Sequence, residues 1–215
     1  MALDHALMRR AARTGEAVIR VYGWSRPTLS FGRNEAAFRR PGVDIVRRPT
    51  GGRMILHHRE LTYSFTLPAA ERPRALYDRL NEILAATLEQ LGAPVTIATN
   101  GAATAQGPCF SGPSRGELIY DGRKIAGSAQ WRENGVVLQH GSILIDNDQE
   151  GVEPATLRAA LGRAPTAFEL ADAFGAIVDT VTLALEPMVR DEARQLCQHY
   201  SDDAWTWRRK KLDEG

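Results

Sequence analysis

Leu61-Thr62-Tyr63-Ser64-Phe65-Thr66-Leu67 alternates apolar and hydroxyl side chains without a break. Side chains of an extended chain point to opposite faces in turn. The run therefore predicts a half-buried strand with Leu61, Tyr63, Phe65 and Leu67 on its core side. Working outward, residues 17–22, 28–31, 43–47 and 54–56 are short apolar runs, divided by Pro27 and by Arg48-Pro-Thr-Gly-Gly52. Downstream, residues 95–98, 117–120, 123–131 and 136–145 also read as strands, the middle two joined in a hairpin at Asp121-Gly122. Helical spacing marks residues 1–14, 74–91, 155–161, 166–185 and 187–200. The clearest stripe is Leu76, Leu80, Ile83, Leu84, Thr87, Leu88 and Leu91, ended by Gly92. Thr166 with Glu169 forms a capping-box pattern ahead of Leu170, Phe174, Ile177, Val181 and Leu185. Strands crowd the first two-thirds and helices the last third, without the regular alternation of a doubly wound sheet. The expected fold is α+β, a mixed, largely antiparallel sheet with packed helices. At 215 residues the default is one domain over residues 1–200, followed by a polar tail, 201–215, holding Trp205 and Trp207.

Composition removes several function classes. Hydrophobic residues are 43% and charged residues 25%, ordinary for a globular domain. A net charge of +1 gives no basic field for nonspecific nucleic-acid binding. No apolar run is long enough to span a bilayer, and residues 1–14 do not read as a signal peptide. Two cysteines make neither a disulfide framework nor a zinc site, so a reducing cytoplasm is expected and no metal is called for. Cys197, on a late amphipathic helix, reads as core filler.

Lys124 stands out because every other cation before the last few residues is arginine; the remaining lysines are Lys210 and Lys211. A lysine is a compact point charge, and Ile-Ala-Gly-Ser128 follows it with small residues that admit a close ligand. Cys109 lies in Gly-Pro-Cys-Phe-Ser-Gly-Pro-Ser114, within a long loop over residues 100–114. A thiol is mostly protonated at neutral pH, and an ammonium brought beneath this loop would raise its thiolate fraction. Arg47-Arg-Pro-Thr-Gly-Gly-Arg53 reads either as a tight turn or as a backbone cradle for an anion or carbonyl. It lacks the spacing of a P-loop. His57 and His58 are adjacent on a strand, so they face opposite ways and cannot chelate one metal together. Gln139-His140-Gly141-Ser142 interrupts an apolar strand, and such polar groups need partners or a ligand.

Taken together these segments resemble the biotin/lipoate protein ligase superfamily. The runs are Met1-Ala-Leu-Asp-His-Ala-Leu7, Arg47 to Arg53 through Leu61-Thr-Tyr-Ser64, Cys109-Phe to Pro113-Ser114, Gly122-Arg-Lys-Ile-Ala-Gly-Ser-Ala-Gln130 and Leu138-Gln-His-Gly-Ser142. Five in order across most of residues 1–146 make a specific match. A biotin-ligase Gly-Arg-Gly-Arg loop is absent, which favours the lipoyl branch. Within it, Thr50-Gly-Gly-Arg53 and Cys109-Phe-Ser-Gly-Pro-Ser114 are similar to the cysteine-dependent, ligase-like octanoyltransferases. Lipoate–protein ligases more often carry three consecutive glycines and an extra C-terminal domain.

The resemblance implies an acyltransferase in which Cys109 takes an octanoyl group from octanoyl-acyl carrier protein. A lysine of a lipoyl domain of a 2-oxoacid dehydrogenase, or of glycine-cleavage H protein, then receives it. Lys124 would activate the thiol and share developing oxyanion charge. Substrate-contacting positions implied by the motifs are Arg48, Thr50, Gly51, Gly52, Arg53, His57, Gly127, Ser128, Ala129, Gln139, His140 and Gly141, with Met54 and Leu56 walling an apolar tunnel. No cofactor is implied. ATP and Mg would enter only if the chain were instead a lipoate–protein ligase, with Cys109 incidental. A noncatalytic lipoyl-domain or carrier-protein binding module is the remaining reading. Two departures stand against the pattern. Members usually have a short strand ahead of the first helix; either the true start lies upstream of Met1 or that edge strand is missing, and its loss would open the sheet edge and lower activity. An acidic residue is common after the first histidine, where this chain has His58-Arg59.

Overall fold

The computed structural model describes residues 1–101 and 108–208. Helix α1 (Ala2–Thr14) leads into strand β1 (Val18–Tyr22), followed by β2 (Thr28–Phe31), β3 (Asp44–Arg47), β4 (Ile55–His57) and β5 (Glu60–Pro68). Helix α2 (Pro73–Gln90) separates these from β6 (Thr96–Ile97), β7 (Leu118–Tyr120), β8 (Arg123–Lys124), β9 (Ala126–Glu133) and β10 (Val136–Leu144). Helices α3 (Leu157–Leu161), α4 (Ala167–Ile177), α5 (Pro187–Ser201) and α6 (Asp203–Thr206) complete the chain. The main sheet runs β1-β5-β10-β9 and is antiparallel throughout. A second sheet runs β3-β2-β4, with β2 and β3 parallel, and a third runs β6-β7-β8. This is the α+β, mixed and largely antiparallel architecture that the sequence leads one to expect.

Strand β5 is central, and its register sorts the side chains by face. Leu61, Tyr63, Phe65 and Leu67 meet Leu76, Leu80, Leu84 and Leu88 of α2 and Phe174 of α4 in the main core. Each fully buried leucine of that stripe contributes roughly 1.5–3 kcal/mol. The opposite face is not solvated, as the alternation suggested, because α1 lies over it. Thr62, Ser64 and Thr66 are all buried. Ser64 Oγ donates to Asp4 Oδ1 of α1 at 3.0 Å, and Thr62 Oγ1 accepts from Trp24 Nε1 at 2.8 Å. Two of the three hydroxyls are thus satisfied against a helix and a loop, while Thr66 Oγ1 is buried without a hydrogen-bond partner.

Three other expectations change. The helix begun at Thr166 keeps its capping box but ends at Ile177, not Leu185. Val178, Thr180, Val181 and Thr182 are β-branched, a run that loses side-chain freedom in a helix, and the chain goes extended there. Cys197 is exposed and is not core filler; α5 turns Val189, Leu196 and Tyr200 inward instead. Within residues 201–215, Asp203–Thr206 forms a one-turn helix that buries Trp205. Arg47 explains that docking. Its fully buried guanidinium donates to the carbonyls of Gly32, Arg33, Glu35 and Thr206, and its own carbonyl accepts from Trp205 Nε1 at 2.9 Å.

Candidate active site

Asp121 and Gly122 both take positive φ, 49° and 69°, as a two-residue hairpin requires. The turn sets Lys124 opposite Ile119 in the third sheet. At Ile125 the chain crosses to the main sheet, where Ala126 begins β9. Lys124 is thus held at the junction of two sheets, 3% exposed. Its Nζ donates to the Cys109 carbonyl at 2.8 Å, to Glu117 Oε1 at 2.9 Å and towards Cys109 Sγ at 3.6 Å. An ammonium has three hydrogens, so all are engaged. Sγ and Nζ crowd Gly127: a Cβ there would lie 3.2 Å from each.

Arg48 brings a second buried cation. It donates from Nε to Gly51 O, from Nη1 to Ser30 O and Oγ, and from Nη2 to Arg53 O. Four of its five N–H groups are therefore taken, leaving one on Nη2. Burial pushes its pKa down, while attraction to Cys109 and then to Glu35 pulls it back. The Thr-Gly-Gly loop thus reads as the support of a guanidinium. Gly51 offers a carbonyl to Arg48, and Gly52 turns at φ 89°.

A cavity of about 150 Å³ opens beside the thiol. It lies against the sheet face that carries Thr62, His140 and Ser142. Of the residues expected from sequence, Cys109, Lys124, Arg48, Gly52, Arg53, His57, Gly127, Ser128, Ala129, His140 and Gly141 line it. Thr50, Gly51 and Gln139 do not. Thr50 lies behind His140, with Oγ1 2.7 Å from Nε2, and Gln139 donates to Asn81 Oδ1 at 3.1 Å. Met54 and Leu56 are not wall residues either; Ile55 is. On a strand the parity of one residue decides the face. The Met54 carbonyl instead accepts from Cys109 N–H at 3.2 Å. Sequence reasoning missed Tyr22, Trp24, Thr62, Ser114, Glu117 and Ser142, which also line the cavity. The Trp24 ring stacks on His57 with centroids 4.2 Å apart, and His57 Nε2 lies 2.7 Å from Ser30 Oγ. His58 faces outward beside Asp148, as adjacent strand residues must. Of the loop 100–114, residues 102–107 lie outside the described residues. Among the described residues no group of three or more His, Cys, Asp or Glu could hold a metal ion, and no helix is long and apolar enough to cross a membrane.

Burial holds the His140 imidazole neutral, with its pKa lowered to about 3; the Arg48 charge adds to this and Asp4 opposes it. His5 is lowered to about 3, chiefly by burial. Unfolded, both would bind protons near 6.5. Between about pH 6.5 and pH 3 the unfolded chain therefore holds more protons, and stability falls as pH falls. Each histidine contributes a slope of about 1.4 kcal/mol per pH unit. Urea unfolding at pH 7 and pH 5 should differ by about 2 kcal/mol for each of them, and His140→Gln should remove one of the two contributions.

Three comparisons bear on this geometry. Residues 1–170 match the family model of the lipoyl protein ligase A/B catalytic domain. An octanoyltransferase LipM of Kyrpidia tusciae is 34% identical over 260 residues, spanning 97% of this chain and 94% of the relative. That of Geobacillus kaustophilus is 41% identical over 172 residues, spanning 70% of this chain and 62% of the relative. Among solved structures, a bipartite lipoate protein ligase of Thermoplasma acidophilum, described with its E2 lipoyl domain, superposes with a TM-score of 0.78 at 17% identity. It covers 100% of this chain and 92% of that one. At that identity the likeness concerns the fold.

Proposed function

The chain belongs to the lipoyl protein ligase A/B catalytic domain family, and from that premise we propose that it moves an octanoyl group through a thioester on Cys109. It is an octanoyltransferase of lipoate synthesis, an acyltransferase. The observation that carries the covalent reading is the placement of Lys124 Nζ 3.6 Å from Cys109 Sγ, on the wall of a cavity. A thiol beside a buried cation is the arrangement a sulfur nucleophile requires.

The donor is an octanoyl thioester on acyl carrier protein. Cys109 Sγ attacks its carbonyl carbon, and the carbonyl electron pair moves onto oxygen. Collapse of that oxyanion expels the carrier thiolate, which takes up a proton, and leaves octanoyl on Sγ. The amine of a lipoyl-domain or H-protein lysine then attacks the same carbon, Sγ leaves, and the amine's proton passes to it. One thioester replaces another in the first half and an amide replaces a thioester in the second, so the transfer needs no nucleotide. In the resting site all three Lys124 hydrogens are engaged. The uncommitted Nη2 hydrogen of Arg48 is then the donor available to the oxyanion, with Lys124 neutralising charge at sulfur. Trp24 and Ile55 give the acyl chain apolar wall, and Gly127 lets the thioester approach. A free thiol nucleophile works in a reducing compartment, which supports a cytoplasmic setting for the reaction.

Intact mass after incubation with octanoyl-acyl carrier protein tests this. Wild type should gain one octanoyl mass that hydroxylamine removes, and Cys109→Ser should gain none. Transfer that consumes ATP and survives Cys109→Ser would make the chain a ligase. Folded wild type that binds a carrier but never gains the mass would make it a binding module.

A further inference from the structure

We propose that Glu117 is a positioning residue for the transfer, its carboxylate fixing the Lys124 ammonium and the Cys109 loop against each other. The inference rests on the Cys109 reading and adds to it a group that no motif marks. Both carboxylate oxygens of Glu117 are spent on the site. Oε1 accepts from Lys124 Nζ at 2.9 Å, and Oε2 accepts from the Ser114 backbone N–H at 2.7 Å. Ser114 closes the described part of the loop that begins with Pro108 and carries Cys109. One side chain therefore bridges the thiol's loop and the thiol's cation.

Glu117 is itself held rigidly. Its N–H donates to Ser114 O and its carbonyl accepts from Ala98 N–H, while the neighbouring Gly116 carbonyl accepts from Asn81 Nδ2 at 2.8 Å. Asn81 is fully buried on α2, and its Oδ1 accepts from Ser128 and Gln139. The carboxylate is thus anchored to the helix that packs on the main sheet. Glu117 and Lys124 are 6% and 3% exposed, so little water competes for either charge. A lysine has a long rotatable stem, and at this depth the ammonium would take whichever acceptor is nearest. With the carboxylate on one side and the Cys109 carbonyl on the other, its third hydrogen is aimed at Sγ.

Glu117→Gln tests this, since it keeps the shape and removes the charge. The chain holds only three lysines, Lys124, Lys210 and Lys211, so labelling lysine with 15N isolates the Lys124 ammonium, assigned by its loss in Lys124→Met. Wild type should show an ammonium N–H signal protected from water exchange. Glu117→Gln should lose that protection. Its Cys109 acylation rate should fall about tenfold to a hundredfold, the scale on which partners orienting a reactive group act, with KM for the octanoyl carrier unchanged. In a Lys124→Met background the same change should alter the rate by less than about twofold, because a residue acting through Lys124 has nothing left to position. A protected signal and wild-type rate in Glu117→Gln, or an equal loss in both backgrounds, would overturn the proposal. If wild type never acylates, the Cys109 reading falls, and the labelled-lysine comparison still decides the role of Glu117. Should Glu117→Gln fail to fold, Glu117→Asp, charged but one methylene too short to reach both partners, carries the same measurements.

Discussion

Lys124→Met should slow the acylation of Cys109 by on the order of 10³-fold and lower stability at the same time. The rate loss follows from removing a fixed charge beside the reacting sulfur, at a lysine that is buried and whose charge therefore acts more strongly than it would in water. The stability loss has a separate cause. Methionine fills the stem of the lysine but leaves the Glu117 carboxylate buried without its cation, and a broken buried pair is destabilising by about 3–5 kcal/mol. For a domain of this size that lowers Tm by about 10 °C. Pairing the change with Glu117→Gln should restore most of the stability and none of the rate, because the orphaned charge is gone and the cation is still missing. Lys124→Arg is not a conservative alternative. A planar fork is wider than an ammonium and cannot direct three N–H groups at once to the Cys109 carbonyl, Glu117 Oε1 and Sγ as Nζ does. Single-turnover acylation followed by mass, with thermal unfolding alongside, measures both effects. Wild-type rate in folded Lys124→Met would remove the cation from the chemistry.

Gly141→Ala should be among the most damaging single methyl groups that could be added to the fold. In β10 Gly141 lies between Tyr63 of β5 and Ser128 of β9. The Tyr63 ring crosses it to bring its hydroxyl to Ser128 Oγ. A Cβ at 141 would stand 2.2 Å from the Gly127 carbonyl oxygen and 2.7 Å from Tyr63 Cε1. The first of these is backbone, paired into the main sheet, and it cannot swing aside as a flexible side chain would. Overpacking of this kind is destabilising by about 3 kcal/mol or more, a fall in Tm of about 10 °C. Because Gly127 is also the residue against Sγ and Nζ, protein that does fold should acylate slowly. A Tm within a degree or two of wild type would show that the sheet yields there.

Most of the sheet was legible because its strands carry a clean period of two, and the long helix because its leucines recur at one face. The hydroxyl side of β5 was misjudged for a physical reason. Thr62, Ser64 and Thr66 read as a solvent face, whereas all three are buried, Ser64 against Asp4 of α1 and Thr62 on the wall of the cavity. Alternation tells which residues share a face, not what covers it. Cys109 and Lys124 were readable because each is out of place, a thiol in a Gly/Pro loop and a lysine in an arginine-rich chain. Glu117 was not, since it reads only as the first residue of the strand 117–120 and no motif singles it out. The signal was nevertheless present. Ile119 pairs with Lys124, and Glu117, two residues earlier, shares the Ile119 side of the ribbon. The exchange of Met54 and Leu56 for Ile55 is a single step of parity, and no sequence feature fixed that step. The overrun of α4 past Ile177 followed apolar spacing where the β-branched run Val178 to Thr182 should have been weighed more heavily.

Arg47 gives the molecule an order of assembly. Its guanidinium gathers the carbonyls of Gly32, Arg33 and Glu35 under the loop that carries Arg48, while Trp205 and Thr206 cap it from 158 and 159 positions further along the chain. A polypeptide still on the ribosome, with residues 203–207 not yet released from the exit tunnel, has that cation uncapped and the loop above it unset. The loop that bears Cys109 comes earlier in the chain, so Arg47 meets its partners at residues 205 and 206 only after that loop has been made.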